Sequence, residues 1–147
     1  MTPDAMVRHV KELGIYGLAV DLRRGVFALS NEWPKEERYA LTDQVRRSSR
    51  AVGANLAEAW AERRYPKHFV SKLTDALAEA EETVVWLDTA HECGYLTADA
   101  HAELARTTRR ICAGLVSMMR HPDTWCGPSG LVREDPLFYE VAPVAPA

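Results

Sequence analysis

The chain has 147 residues and a mass of 16.5 kDa, room for one domain with or without a tail, which excludes a second catalytic domain. Hydrophobic residues make up 47% and charged residues 27%, enough for a core without staples, so a disordered or fibrous chain is excluded. The formal net charge of -3 argues against a protein that simply coats nucleic acid, although a sum can hide a separated distribution.

The N-terminal MTPDAMVRHVKELG has no long apolar run, and no stretch approaches the roughly 18 apolar residues of a membrane span. Cys93, Cys112 and Cys126 are three cysteines without C-x-x-C spacing, which points to reduced thiols and a cytoplasmic protein rather than a disulfide framework or zinc knuckle. A first helix is expected where Ile15, Leu18, Leu22, Val26, Leu29 and Trp33 recur at steps of three and four. Trp33-Pro34 ends it, because a residue before proline is driven out of the α region. A second helix follows from about Tyr39 to about Arg64, with the stripe Leu41, Val45, Ser48, Val52, Asn55, Leu56 and Trp60. Pro66 suits a first turn and opens a third helix carrying Phe69, Leu73, Leu77, Ala80, Val84, Leu87 and His91, with Gly94 as its C′ residue. Thr97 is a natural N-cap for a fourth helix with Leu104, Thr108, Ile111, Leu115 and Met118, closed by His121-Pro122.

Short links between long helices make neighbours antiparallel, so the expected fold is all-α: an up-down-up-down four-helix bundle over residues 1–120. Residues 121–147 hold five of the eight prolines and read as a Pro/Gly-rich tail. Within it Leu137, Phe138, Tyr139 and Val141 form an apolar cluster, suited either to a disordered end or to docking in a groove. Tyr16, Val20 and Phe27 lie off the first stripe, and Val85 and Trp86 off the third. Helices with a second apolar face sit in a larger core or meet another subunit, and in a chain this short the subunit contact is favoured.

The charge is divided. Residues 33–72 carry nine Lys/Arg against five acids, a balance of +4, while residues 73–105 carry eight acids and no Lys or Arg. Two readings follow. The poles can form ion pairs within or between subunits, or Arg46, Arg47, Arg50, Arg63, Arg64 and Lys67 can present a phosphate-binding stripe. Aromatic residues beside the stripe are limited to Tyr39, Trp60 and Tyr65, so shape and phosphate contacts, not base reading, are expected to dominate.

Catalytic patterns are missing. A di-iron bundle needs Glu-x-x-His on two helices, and the chain has one Asp88-x-x-His91 instead. Ser48 and Ser49 lie among arginines with no histidine near in sequence, and small hydroxyl residues on a helix face suit close helix packing. No enzyme, metal or cofactor is expected. Asn55 interrupts the apolar stripe with Glu58 one turn on, and a buried Asn fixes helix register or meets a partner.

The run FALSNEWPKEERYALTDQVRRSSRAVGANLAEAWAERRYPKHFVSKLTDALAEAEETVVWLDTAHE, followed by CGYLT, resembles the four-helix bundle family encoded by intervening sequences of bacterial 23S rRNA genes. It is also similar to the related accessory variability determinant (Avd) protein of diversity-generating retroelements. The matching pieces are PKEERYALTDQVRRSS, ANLAEA and GYLT. The resemblance implies a homopentameric barrel, with a basic surface that in the retroelement relatives binds RNA or DNA and a partner reverse transcriptase. It assigns Arg46 and Arg47 to the family's double arginine and Asn55 and Glu58 to its Asn and Glu. Ala59 stands where the family usually has Gly, which predicts a helix running on toward Arg64, and the third helix is unusually acidic. The expected function is therefore a non-enzymatic oligomeric adaptor that engages nucleic acid through second-helix arginines, or else a protein-protein scaffold that binds none.

Overall fold

The computed structural model describes residues 7–127. After a 3-10 turn at Val10–Glu12, four long helices follow: α1 Gly14–Ser30, α2 Asp43–Ala61, α3 Pro66–Glu92 and α4 Ala98–Arg120. A fifth, α5, is one short turn at Pro122–Cys126. No strand occurs among the described residues. Each long helix packs on the next and α4 returns to α1, so the four close a ring around one core in the up-and-down order that short links impose. In that ring α1 and α3 are diagonal.

The helix ends follow local chemistry. Pro66 occupies the first turn of α3, where a missing N–H costs nothing. At the other end Gly94 takes a φ of +80°, a left-handed conformation that glycine reaches without a Cβ clash. Its N–H donates to the His91 carbonyl at 3.0 Å, and the Tyr95 N–H donates to the Ala90 carbonyl at 2.9 Å. Both bonds of a Schellman cap are present. Thr97 Oγ1 accepts from the Ala100 N–H at 3.1 Å and so starts α4. Between α1 and α2 the chain is helical but irregular, a 3-10 turn at Lys35–Glu37 and a π turn at Arg38–Thr42.

The α4 stripe is buried as its spacing predicts, at Leu104, Thr108, Ile111, Leu115 and Met118. In α3 the buried set is Phe69, Leu73, Ala76, Ala80, Thr83, Leu87 and Ala90. The expected stripe is thus turned by about one residue: Leu77 and Val84 are half-buried and His91 is exposed. Small residues decide this. Ala76, Ala80 and Thr83 let α2 come close, and Thr83 Oγ1 donates to Ser48 Oγ at 2.8 Å in the buried α2–α3 seam. Ser48 and Ser49 are both buried, as close helix packing requires.

Two further expectations are revised. α2 ends at Ala61 and does not run on toward Arg64. Tyr65 must be extended before Pro66, with φ -115° and ψ 97°, and the Arg63 guanidinium donates to the Trp60 carbonyl at 2.9 Å. Arg63 and Arg64 therefore lie on the turn between helices. His121-Pro122 closes α4, yet Pro122 opens α5, whose Trp125 meets the Trp60 ring edge-on at 6.3 Å between centroids. The apolar cluster Leu137, Phe138, Tyr139 and Val141 lies outside the described residues.

Candidate nucleic-acid interface

The six basic residues singled out in the sequence form two clusters rather than one stripe. Arg46, Arg47 and Arg50 occupy the first turns of α2, while Arg63, Arg64 and Lys67 gather at the α2–α3 turn. At about 1.5 Å per residue the two groups are on the order of 25 Å apart.

Most of the first cluster is engaged within the chain. Arg46 reaches back to the end of α1, where Nε donates to Ser30 Oγ at 2.8 Å and Nη2 to Asn31 Oδ1 at 2.9 Å. Arg47 turns the other way, pairing with Glu79 at 3.0 Å and with Glu82, both on α3. Glu82 also accepts from Trp86 Nε1 at 3.1 Å. A second cross-seam pair runs in the opposite sense, Lys72 of α3 to Glu58 of α2 at 2.9 Å. The basic and acidic poles thus meet in part inside one subunit. Among the described residues Arg50 meets only the Phe27 ring, 5.7 Å from its guanidinium carbon.

Asn55 does not bridge helices. It is half-buried, and its Nδ2 donates to the Ala51 carbonyl of its own helix at 2.9 Å. That bond serves the side chain without setting register against a neighbour.

The second cluster is more open. Tyr65 is 48% exposed, with the Arg64 guanidinium 5.6 Å and the His68 ring 5.3 Å from its centroid. Arg64 and Lys67 are exposed, and neither forms an ion pair among the described residues. Arg63 lies over the Trp60 ring at 4.4 Å. Because α3 begins and α4 ends on this side of the bundle, with Thr74 Oγ1 3.3 Å from Met119 Sδ, Arg120 belongs to the same end. The arrangement offers cations and one accessible ring face, the elements of phosphate contact with stacking.

Sequence reasoning missed a third basic group. Residues 106–120 hold Arg106, Arg109, Arg110 and Arg120 and no acid. All four are exposed without an ion pair among the described residues. Acids later in the sequence bring residues 106–147 to a balance of only +1, which masks this run.

Other chemistry is sparse. Among the described residues no group of three or more His, Cys, Asp or Glu could hold a metal ion. His101 Nε2 lies 2.8 Å from Asp88 Oδ1 and its ring stacks on His91 at 4.3 Å. An open cleft of about 470 Å³ between α3 and α4 is lined by Leu77, Glu81, Cys112, Val116, Arg120 and His121. Burial, reinforced by the Glu81 carboxylate, pushes the Cys112 thiol up to about 11, so it stays protonated and is a poor nucleophile. The three cysteines are free thiols. No described helix is long and apolar enough to cross a membrane.

These features define a class: an all-α four-helix bundle whose exposed chemistry is charge, part paired across its own seams and part open. The model of the 23S rRNA-intervening sequence protein family matches residues 11–117, and the chain belongs to that family. The fold is similar to the crystal structure of a protein of unknown function from the S23 ribosomal protein family of Bacteroides thetaiotaomicron VPI-5482, with a TM-score of 0.65. The two are 24% identical, over 72% of this chain and 98% of that one. No curated protein matches the chain.

Proposed function

We propose that the protein is a non-enzymatic, cytoplasmic adaptor that assembles as a homo-oligomer, a pentamer as the Avd-like resemblance implies, and that holds RNA or DNA at the α2–α3 end of each bundle. The carrying observation is the open cluster of Arg64 and Lys67 around the half-exposed Tyr65, with Arg63 beside it. Phosphate contact by such cations releases counterions, so affinity falls steeply with salt. Arg46 and Arg47, the double arginine of the resemblance, serve chiefly to hold α2 to α1 and α3. A protein partner such as a reverse transcriptase would then be brought to the same assembly as the nucleic acid.

Fluorescence anisotropy with labelled duplex and hairpin RNA and DNA tests this between about 50 and 200 mM salt. The two open cations, Arg64 and Lys67, predict a log–log slope of about -2 per bundle for duplex DNA. An Arg64→Glu, Lys67→Glu variant loses binding while keeping its helical circular dichroism. No binding at about 50 mM salt overturns the nucleic-acid role.

A second reading is favoured by the cross-seam pairs Arg47–Glu79 and Lys72–Glu58: the charge poles exist to pair with each other, and the protein is an interaction scaffold. On that reading self-association persists while nucleic acid fails to bind at any salt.

A further inference from the structure

Two surface patches centred on an exposed apolar side chain, Phe27 and Val85, carry opposite charge. On the α1–α2 side Phe27 is 45% exposed, with the guanidinium carbons of Arg46 and Arg50 4.7 and 5.7 Å from its ring centroid. Neither arginine has a carboxylate partner among the described residues. On the outward face of α3 Val85 is 56% exposed, with exposed Glu81 one turn before it and exposed Glu92 two turns after. Neither of these acids forms an ion pair among the described residues, and Glu81 only accepts a 3.5 Å contact from the Cys112 thiol. One patch is an apolar centre with Arg50 and with Arg46, whose guanidinium is hydrogen-bonded to Ser30 and Asn31 but faces no carboxylate; the other is an apolar centre with the unpaired carboxylates of Glu81 and Glu92.

We propose that these patches bind each other between copies of this chain: Phe27, Arg46 and Arg50 of one subunit dock on Val85, Glu81 and Glu92 of the next. The inference rests on the homo-oligomer reading and supplies its interface. Because α1 and α3 are diagonal in the bundle, the patches lie on different sides of the molecule and the contact is heterologous, head to tail. A two-fold pairing of either patch with itself would set like charges together. Val85 and Glu81 are level with Arg46 and Arg50 along the bundle axis, and Glu92 lies about 10 Å beyond Val85 along α3. Arg46 binds Asn31 beyond the end of α1, while its neighbour Arg47 binds Glu79 and Glu82 just before Val85. A head-to-tail contact between level patches needs no rise along the bundle axis, so it forms a ring wherever the rotation between neighbours divides a full turn. Aromatic and arginine anchors are the side chains that most often dominate such contacts, and opposed charge selects the register.

Light scattering on a sizing column and sedimentation velocity, with full-length protein at about 0.1 M salt, test the proposal. The parent is expected to run as an assembly. Arg50→Glu and, separately, Val85→Lys are expected to raise the concentration for half-assembly about tenfold or more, with helical circular dichroism unchanged. Glu81→Lys, Glu92→Lys is expected to do the same, and combining it with Arg50→Glu in one chain recovers part of the assembly, because the new carboxylate then faces the new ammonium groups of the next subunit while Arg46 stays bound to Ser30 and Asn31. A parent of 16.5 kDa defeats the oligomer reading and this interface with it. A parent assembly that persists in both Arg50→Glu and Val85→Lys leaves the oligomer standing and overturns the interface, as does a combined variant that assembles no better than Glu81→Lys, Glu92→Lys alone. Should Arg50→Glu unfold, Val85→Lys decides between these outcomes.

Discussion

Arg46 and Arg47 are adjacent in sequence and serve different seams. One step along a helix turns a side chain by about 100°, so Arg46 faces α1 and Arg47 faces α3. Arg47 and its partners are partly exposed, 48% for the arginine side chain and 24% for Glu79. Arg47→Ala should therefore cost only about 0.5–1 kcal/mol in urea denaturation, with the difference shrinking at about 1 M salt. Arg46→Ala loses two hydrogen bonds and the Phe27 contact and should cost more, about 1–2 kcal/mol, with less salt dependence. Cys112 offers a pH test. Its thiol is raised from 9.0 to about 11 by burial, so the folded state holds that proton more tightly. The stability this provides is complete below about pH 9 and is lost as the pH rises toward 11. At pH 8 only about one Cys112 in a thousand is a thiolate, so iodoacetamide should label exposed Cys93 well before Cys112, as peptide mapping would show.

At the scale of elements, end signals and stripes behave differently. Pro66, Gly94 and Thr97 act through their own backbone and nearest neighbours, and each sits where its chemistry predicts. Gly94→Ala places a Cβ on a residue with φ +80° and should destabilise by about 1 kcal/mol, with a similar loss for Thr97→Ala, both read from denaturation midpoints. The α3 stripe is harder to read because hydrophobicity alone ranks Leu77 and Val84 above Ala76 and Thr83. Distance of approach reverses the order, since a small residue is buried where α2 comes near and a large one is displaced toward α4. The length of α2 misled for a related reason: Ala59 favours helix, but Tyr65 ahead of Pro66 stops it.

For the whole molecule, the open basic end and the Phe27 patch lie at opposite ends of α2, so assembly and nucleic-acid contact should separate. Arg64→Glu, Lys67→Glu should leave the assembled mass unchanged. Arg50→Glu should dissociate the assembly and also weaken binding of long RNA, because several level ends on one ring act together and lose that multivalency as monomers. A short oligonucleotide that spans one end should bind the dissociated protein nearly as well as the parent.

Helical class, bundle connectivity and helix caps were readable from residue order, because they depend on periodicity and on contacts within a few positions. So was the existence of two charge poles. The net charge of -3 concealed which charges remain available, and only the tertiary structure could sort them. Spatial neighbours thirty or more residues apart decide that Arg47 is matched by Glu79 and Glu82 while Arg64 and Lys67 stay open. The same packing turns α3 by a residue, places Arg46 and Arg50 around Phe27, and leaves Val85 facing outward. Sequence spacing sets which side chains share a helix face, but the approach of a second helix determines what that face meets.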